Sequence, residues 1–441
     1  MELAGKRVMV IGLGVSGRAA ARLAAARGAR LVLADARADI AREGLPGGEL
    51  RLGAEDPAWL DGVELAIASP GVPPTSPLMR AAVAAGIPLI GELEFGARFL
   101  AAPIVAITGT NGKSTVTMMI GAMLRAAGRR VFVGGNLGTP IAEAAAGDFD
   151  AAVVEASSYQ LELIERFHPR VAVHLNLSDD HLDRYRDFAA YGRAKARIFE
   201  NQGAADCAVL NRDDPNVWRL AASSRACVFS FGLQAPPPAG DAIWPGRGAL
   251  AWRFRGAEGE IDLRRFALRG RHNLANAMAA AAAALAMGAG AAAIESALAD
   301  FRGLKHRIEF VAEKRGVRYV DDSKGTNVGA AVEALYAVEP PVILIAGGVD
   351  KGGDYAPLRA AVRERARLVI LNGAAREKMR AALAGAAAIE AAPTMGEAVR
   401  IAARRACPGD TVLLSPACSS FDQFKDYAER GRVFQELVRA L

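Results

Sequence analysis

The chain has 441 residues, of which 52% are hydrophobic and 23% charged, with a formal net charge of +6. That length exceeds one ordinary core and, at about 150 residues per domain, suggests three domains. The small net charge and the absence of any block of like charges exclude the electrostatic footprint of a nucleic-acid binder. Four cysteines (Cys207, Cys227, Cys407, Cys418) show no CxxC or zinc spacing, which points to a reducing, cytoplasmic compartment. Met1 to Arg7 carry no signal-peptide pattern.

Arg7 to Ile11 read as a buried strand, followed at once by Gly12-Leu13-Gly14-Val15-Ser16-Gly17 and an Ala/Leu-rich helix to about Arg27. A second strand, Leu31 to Ala34, ends in Asp35. This is the dinucleotide-binding pattern: glycines let the backbone approach a pyrophosphate at a helix N-terminus, and the acid meets a polar group of the nucleotide. Two ligands satisfy it, NAD or another nucleoside diphosphate. Further strands and helices follow to about Ile90, which makes a small doubly wound domain ending between Gly91 and Pro103.

The apolar run Ile104-Val105-Ala106-Ile107 leads into Thr108-Gly109-Thr110-Asn111-Gly112-Lys113-Ser114-Thr115 and then a helix over 116–127. A strand, a glycine-rich turn and a helix start form a phosphate cradle, because backbone N–H groups and the helix dipole face the anion. Lys113 reaches the terminal phosphates in such a loop, and a Ser114 or Thr115 hydroxyl holds Mg²⁺. The full pattern wants glycine where this chain has Ile107. The chain is therefore expected to bind a nucleoside triphosphate through a shortened loop.

The strands Val131 to Val133, Ala152 to Val154, Val171 to Val173 and Ala208 to Leu210 end in Gly134-Gly135-Asn136, Glu155-Ala156-Ser157-Ser158 and, beyond the third, Asn176 to His181. Open α/β sheets bind ligands at such edges. Glu155 and His181 are expected on neighbouring strand ends, where a carboxylate and an imidazole complete the shell of a second Mg²⁺. Asp187 to Glu200 reads as a helix with Tyr191 and Lys195 on one face. Taken alone, Lys195 reads as a solvated surface lysine. Residues 227–266 read as short strands and turns, a small antiparallel insertion. Asn273 to Ile294 carries no charge, but it is mostly alanine and is broken by Gly288 and Gly290. It reads as two buried helices rather than a membrane span.

Phe301 to Arg307 marks a second junction, after which strands end in Asp321-Asp322-Ser323-Lys324-Gly325-Thr326, in Gly347 to Gly353, in Asn372-Gly373 and in Ser415 to Phe421. Lysines, hydroxyls and an aspartate at these ends suit an anionic small molecule. The expected fold is α/β with three domains. Residues 1–94 form a Rossmann-like nucleotide domain, 95–303 a central P-loop ATPase domain with a parallel sheet, and 304–441 a C-terminal Rossmann-like domain.

Taken in order, Gly12 to Gly17, Gly109 to Thr115, Glu155 to Leu161, Asp180-His181-Leu182-Asp183-Arg184-Tyr185, Tyr191 to Lys195, Asp322-Ser323-Lys324 and Ser415-Pro416-Ala417-Cys418 resemble the Mur ligases across essentially the whole chain. Within them they most resemble the branch that adds D-glutamate. The resemblance implies a cytoplasmic step of peptidoglycan synthesis, in which ATP activates the carboxylate of UDP-N-acetylmuramoyl-L-alanine as an acyl phosphate and the amine of D-glutamate attacks it. It implies a monomer with ATP and two Mg²⁺. It assigns Gly14, Val15, Ser16 and Asp35 to the UDP group, Asn136 and Ser157 to the sugar-peptide, and Gly109 to Thr115, Asn273, Asn276, His306, Arg307, Asp322 and Lys324 to ATP. It assigns Thr326, Lys351, Ser420, Phe421 and Tyr427 to glutamate. Ser114, Glu155, His181 and Lys195, the last as a carbamate, fall to the metals. Ala36 departs from the family, whose members often carry a hydroxyl there. A dehydrogenase would leave the Lys113 loop without a role, a plain NTPase switch would leave the first domain without one, and folylpolyglutamate synthetase lacks that first domain. The Asp-Asn-Pro-Arg motif of the diaminopimelate-adding Mur ligase is absent.

Overall fold

The computed structural model describes residues 1–180, 184–236, 238–268 and 270–441. It contains three sheets of five, nine and six strands. The first is built from β1 (Arg7–Ile11), β2 (Arg30–Asp35), β3 (Glu49–Leu52), β4 (Leu65–Ala68) and β5 (Leu89–Gly91), all parallel, in the order β3-β2-β1-β4-β5. β1 and β4 are almost wholly buried because helices cover both faces, which is why they read as continuous apolar runs.

The second sheet holds β6 (Ile104–Thr108), β7 (Val131–Gly135), β8 (Ala151–Glu155), β9 (Val171–His174), β10 (Cys207–Asn211), β11 (Cys227–Phe231), β12 (Asp241–Pro245), β13 (Ala249–Phe254) and β14 (Ala257–Asp262). Their order is β14-β13-β12-β11-β10-β9-β6-β8-β7. The antiparallel strands expected within 227–266 are β12 to β14, and they continue the parallel sheet rather than forming a separate layer. One expectation is corrected here. β8 and β9 are not neighbours, because β6 with the phosphate loop lies between them. Crossover connections decide that order, and strand composition does not encode it.

The third sheet holds β15 (Glu309–Lys314), β16 (Val317–Asp321), β17 (Val342–Gly347), β18 (Ala366–Asn372), β19 (Ala388–Ala391) and β20 (Thr411–Leu414), in the order β15-β16-β20-β17-β18-β19. Apolar clusters cover both of its faces, one centred on Leu344, Leu358 and Met379 and the other on Ile345, Val399 and Phe434.

The chain divides into two compact units: one of residues 1–176, 192–266 and 275–300, with the first two sheets, and one of residues 177–191, 267–274 and 301–441, with the third. The uncharged stretch forms helices Arg271–Ala286 and Ala291–Asp300, separated at Gly288 and Gly290 as expected. Alanines 277 and 279–284 are fully buried, which explains a helix apolar all round. No helix among the described residues is long and apolar enough to cross a membrane.

Candidate active site

In the first unit, the loop after β6 turns through two glycines that no other residue replaces cheaply. Gly109 has φ 147° and Gly112 φ 85°, and a Cβ on Gly112 would lie 2.5 Å from Asn276 Oδ1. Gly112 starts the helix Lys113–Ala126, whose N-terminus no side chain among the described residues caps. Open amides at a helix start are what a phosphate needs. Lys113 Nζ donates to the carbonyls of Gly109 and Thr110, both at 2.8 Å. Ile107, which replaces the usual glycine, is fully buried as part of β6, so the strand runs two residues into the pattern, through Thr108.

Ser114 Oγ donates to Glu155 Oε2 at 2.6 Å, and Asn136 Nδ2 donates to Glu155 Oε1 at 2.7 Å. Ser114 and Glu155 are both buried. This oxygen-rich set beside the phosphate loop fits a hard divalent cation. Lys195 is 2% exposed and donates from Nζ to Gly109 O at 2.9 Å, so the solvated-surface reading is overturned. As an ammonium it repels a metal, and only a carbamate on its nitrogen would join such a set. His181 lies outside the described residues.

Two groups at this site were given no role of their own by the sequence reading, although Asn176 lies in the polar strand end it named. Asn176 braces the loop, accepting from Asn111 N at 2.8 Å and donating to Asn111 O at 3.1 Å. His174, at the end of β9, is buried, and burial, followed by the Lys195 and Lys113 charges, drives its imidazole down to about 3. It is therefore neutral beside two ammonium groups. The signal for both was position at a strand end, two residues apart, but their residue types carried no motif.

The glycine turn after β1 is equally constrained. Gly12 has φ 84°, and a Cβ on Gly17 would lie 1.8 Å from Gly12 O. Gly14 and Val15 are exposed at the uncapped start of the helix Val15–Ala26. Asp35 Oδ2 accepts from Leu13 N at 2.7 Å, and its carboxylate also takes the Arg37 amide and guanidinium. Burial raises its pKa, but these hydrogen bonds outweigh burial and hold it below the ordinary carboxylate value. Ser157 caps the turn Ser158–Leu161 in a reciprocal box with Gln160.

In the second unit, ligand-type side chains gather on the loops after β16, β17 and β20. Asp322 accepts from Ser415 Oγ at 2.7 Å, and burial lifts its carboxyl to about 6. Lys324 Nζ lies 3.3 Å from the Tyr427 hydroxyl and 4.9 Å from its ring centre. Lys351 Nζ donates to Thr326 Oγ1 at 3.4 Å and pairs with Asp180 Oδ1 at 3.6 Å. Ser420 is buried, whereas Phe421 is 75% exposed. Arg307 and Asn273 are half-buried. His306 is buried with φ 61°, and its Nδ1 lies 2.7 Å from Asp321 Oδ2. Glu309 joins them closely enough to suggest a metal, but Gln435 Nε2 donates to Glu309 at 3.1 Å and to Asp321 at 2.8 Å, so hydrogen bonds already fill the cluster.

Residues 6–91 match the Mur ligase MurD-like N-terminal domain, 107–284 the Mur ligase middle domain, and 306–418 the Mur ligase glutamate ligase domain. A protein of Geotalea daltonii named UDP-N-acetylmuramoylalanine–D-glutamate ligase is 46% identical, over 100% of this chain and 99% of its own. A protein of the same name from Anaeromyxobacter dehalogenans is 48% identical, over 99% and 98%. The chain belongs to the Mur ligase family. Its fold is shared with a pseudomurein peptide ligase type C from Methanothermus fervidus (TM-score 0.64, 20% identity, 99% and 100% of the chains). It is also shared with UDP-N-acetylmuramate-alanine ligase MurC from Thermotoga maritima (TM-score 0.60, 18% identity, 98% and 99%).

Within this Mur ligase, two sets of the expected residues come together. Lys113, Ser114, Asn136, Glu155, Lys195 and Asn276 gather about one loop of the first unit. Asp322, Lys324, Thr326, Lys351 and Tyr427 share the loop edge of the second.

Proposed function

We infer that this Mur ligase joins D-glutamate to UDP-N-acetylmuramoyl-L-alanine at the expense of ATP, a step of peptidoglycan-precursor synthesis. The observation that carries the reading is a phosphate loop ringed by Lys113, Ser114, Glu155 and Lys195, in a chain similar over its full length to D-glutamate ligases. A carboxylate is a poor electrophile, and transfer of the γ-phosphoryl group to it supplies a leaving group. The glutamate amine then forms the C–N bond, and the tetrahedral intermediate expels phosphate.

Each side chain has a physical task in that sequence. Lys113 leaves the loop carbonyls for the phosphate oxygens and offsets the charge that develops during transfer. Ser114, Glu155, His181 and carbamylated Lys195 are the metal-holding residues of this reading, and bound Mg²⁺ neutralises phosphate charge. Asn273, Asn276, His306, Arg307, Asp322 and Lys324 serve ATP. Gly14, Val15, Ser16 and Asp35 hold the UDP group, with Asn136 and Ser157 on the sugar-peptide. Thr326, Lys351, Ser420, Phe421 and Tyr427 take glutamate. The reading keeps the domain boundaries at 94/95 and 303/304 and places a monomer in the cytoplasm, a compartment in keeping with four unpaired cysteines.

The test is phosphate release from ATP by the purified protein with UDP-N-acetylmuramoyl-L-alanine and each of D-glutamate, L-glutamate, L-alanine and diaminopimelate. Release with D-glutamate alone is expected. Release driven by another amino acid would move the chain to a different branch of the family, and NADH binding would revive the dehydrogenase alternative.

A further inference from the structure

The C-terminal helix Tyr427–Arg439 turns Phe434 and Val438 into the core, and Arg430 occupies the same face one turn earlier, 2% exposed. Its guanidinium forms no ion pair among the described residues. Instead it spans two loops. Nε donates to Ser323 Oγ at 2.9 Å and Nη2 to Ser323 O at 2.8 Å. Nη2 also reaches Cys418 O, and Nη1 reaches Cys418 O and Ser419 O, all at 3.3 Å. Burial pulls the guanidinium down to about 10, with Cys418, Asp422, Asp321 and Asp322 opposing that pull, so it is charged at neutral pH.

A buried cation that meets only neutral acceptors is an expensive way to stabilise a core, and an apolar side chain usually does it better. What the arginine supplies is geometry. Its acceptors lie on the loop after β16, which carries Asp322, Lys324 and Thr326, and on the loop after β20, which carries Ser420 and Phe421. β16 and β20 are paired strands, so both loops leave one sheet edge. Other bonds run between them, Ser415 Oγ to Asp322 and Ala417 N to Gly325 O at 2.9 Å, and Ala417 is held at φ 56°. Ser323 Oγ in turn donates to Tyr427 O at 2.8 Å.

We propose that Arg430 is a positioning residue that fixes the spacing of the two loops, so that the ATP group Asp322/Lys324 and the glutamate group Thr326/Ser420 are set together. The proposal rests on the residue roles given under Proposed function. A planar fork with five N–H donors can bridge a hydroxyl and three carbonyls on two loops, whereas a lysine ammonium is a single point.

The experiment compares full-length wild type with Arg430→Lys, Arg430→Met and Ser323→Ala. Steady-state kinetics give KM for ATP, D-glutamate and the UDP substrate, and hydrogen exchange reads the loops 322–326 and 415–421. In Arg430→Lys, KM for ATP and for D-glutamate are expected to rise together by about tenfold, with KM for the UDP substrate within about twofold. Both loops are expected to lose exchange protection together. Ser323→Ala should move the same two constants in the same direction, but less. Unchanged constants in Arg430→Lys, an equal rise in all three, or lost protection in one loop alone would overturn the proposal. If Arg430→Met does not fold, Arg430→Lys and Ser323→Ala still decide. The exchange result stands even if the wild type proves to use another amino acid, so failure of the functional reading is seen separately.

Discussion

Lys113 and Lys195 are two lysines directed at one carbonyl, Gly109 O, at 2.8 and 2.9 Å, and they call for different tests. Lys113 sits in the phosphate loop itself, so Lys113→Ala is expected to lose ligation by roughly 10²-fold or more while keeping its fold. Near-normal turnover with an ordinary ATP KM would remove it from the chemistry. Lys195 is buried, and a carbamate there would convert a repelling cation into a metal-binding anion. Lys195→Ala is expected to be nearly inactive and to recover part of its activity when a short-chain carboxylic acid is added. Full activity without the additive would show that Lys195 has no part in turnover. On the function proposed above, Asp35, at the end of β2, serves binding rather than chemistry. Asp35→Ala should raise KM for the UDP substrate by the equivalent of about 1–3 kcal/mol and leave kcat nearly unchanged; a fall in kcat at fixed KM would contradict that.

At the level of elements, one carboxyl couples the end of the first sheet to the second. Glu92 opens the helix Glu92–Ala97 and accepts from Ala142 N at 2.8 Å, at the head of the 3₁₀ turn Ile141–Ala146. Its other oxygen has no partner among the described residues. Burial pushes the carboxyl up to about 7 from an ordinary 4.5; the Ala142 bond opposes this and Glu143 adds to it. Folding therefore favours the protonated form. That contribution is complete below about pH 4.5 and is lost as pH rises through about 7. Glu92→Gln should match wild type in thermal stability near pH 5 and exceed it at pH 8, by about 3 kcal/mol. A difference that does not change with pH would count against this account. The elements themselves were legible: β6, its loop and the following helix follow from apolar run, glycines and helix period. Their neighbours were not, since β8 and β9 carry equally apolar residues and only the crossovers place β6 between them.

For the whole molecule, the residues proposed for the UDP group fall in the first compact unit and those proposed for glutamate in the second, so the two substrates should be separable in kinetics. Lys351→Ala and Ser420→Ala are each expected to raise KM for D-glutamate selectively, by about tenfold for the lysine, whose charge meets a carboxylate. A rise in ATP KM at constant glutamate KM would reassign both residues to the nucleotide.

By itself the sequence determined what is written locally. Glycine spacing at 12–17 and 109–112, the lysine and hydroxyl that follow, and the polar strand ends all depend on short-range backbone geometry. Three α/β sheets follow from apolar strands alternating with helices. Burial and partnership were decided only by the tertiary structure, because each depends on residues far away in the chain. Lys195 looks like any helical lysine until packing closes over it and the Gly109 carbonyl, 86 positions away, accepts its hydrogen bond. Arg430 looks like surface charge until its helix docks and carbonyls at 323, 418 and 419 surround it. Desolvation forces such a group to find acceptors, and which acceptors lie within reach is a property of the fold.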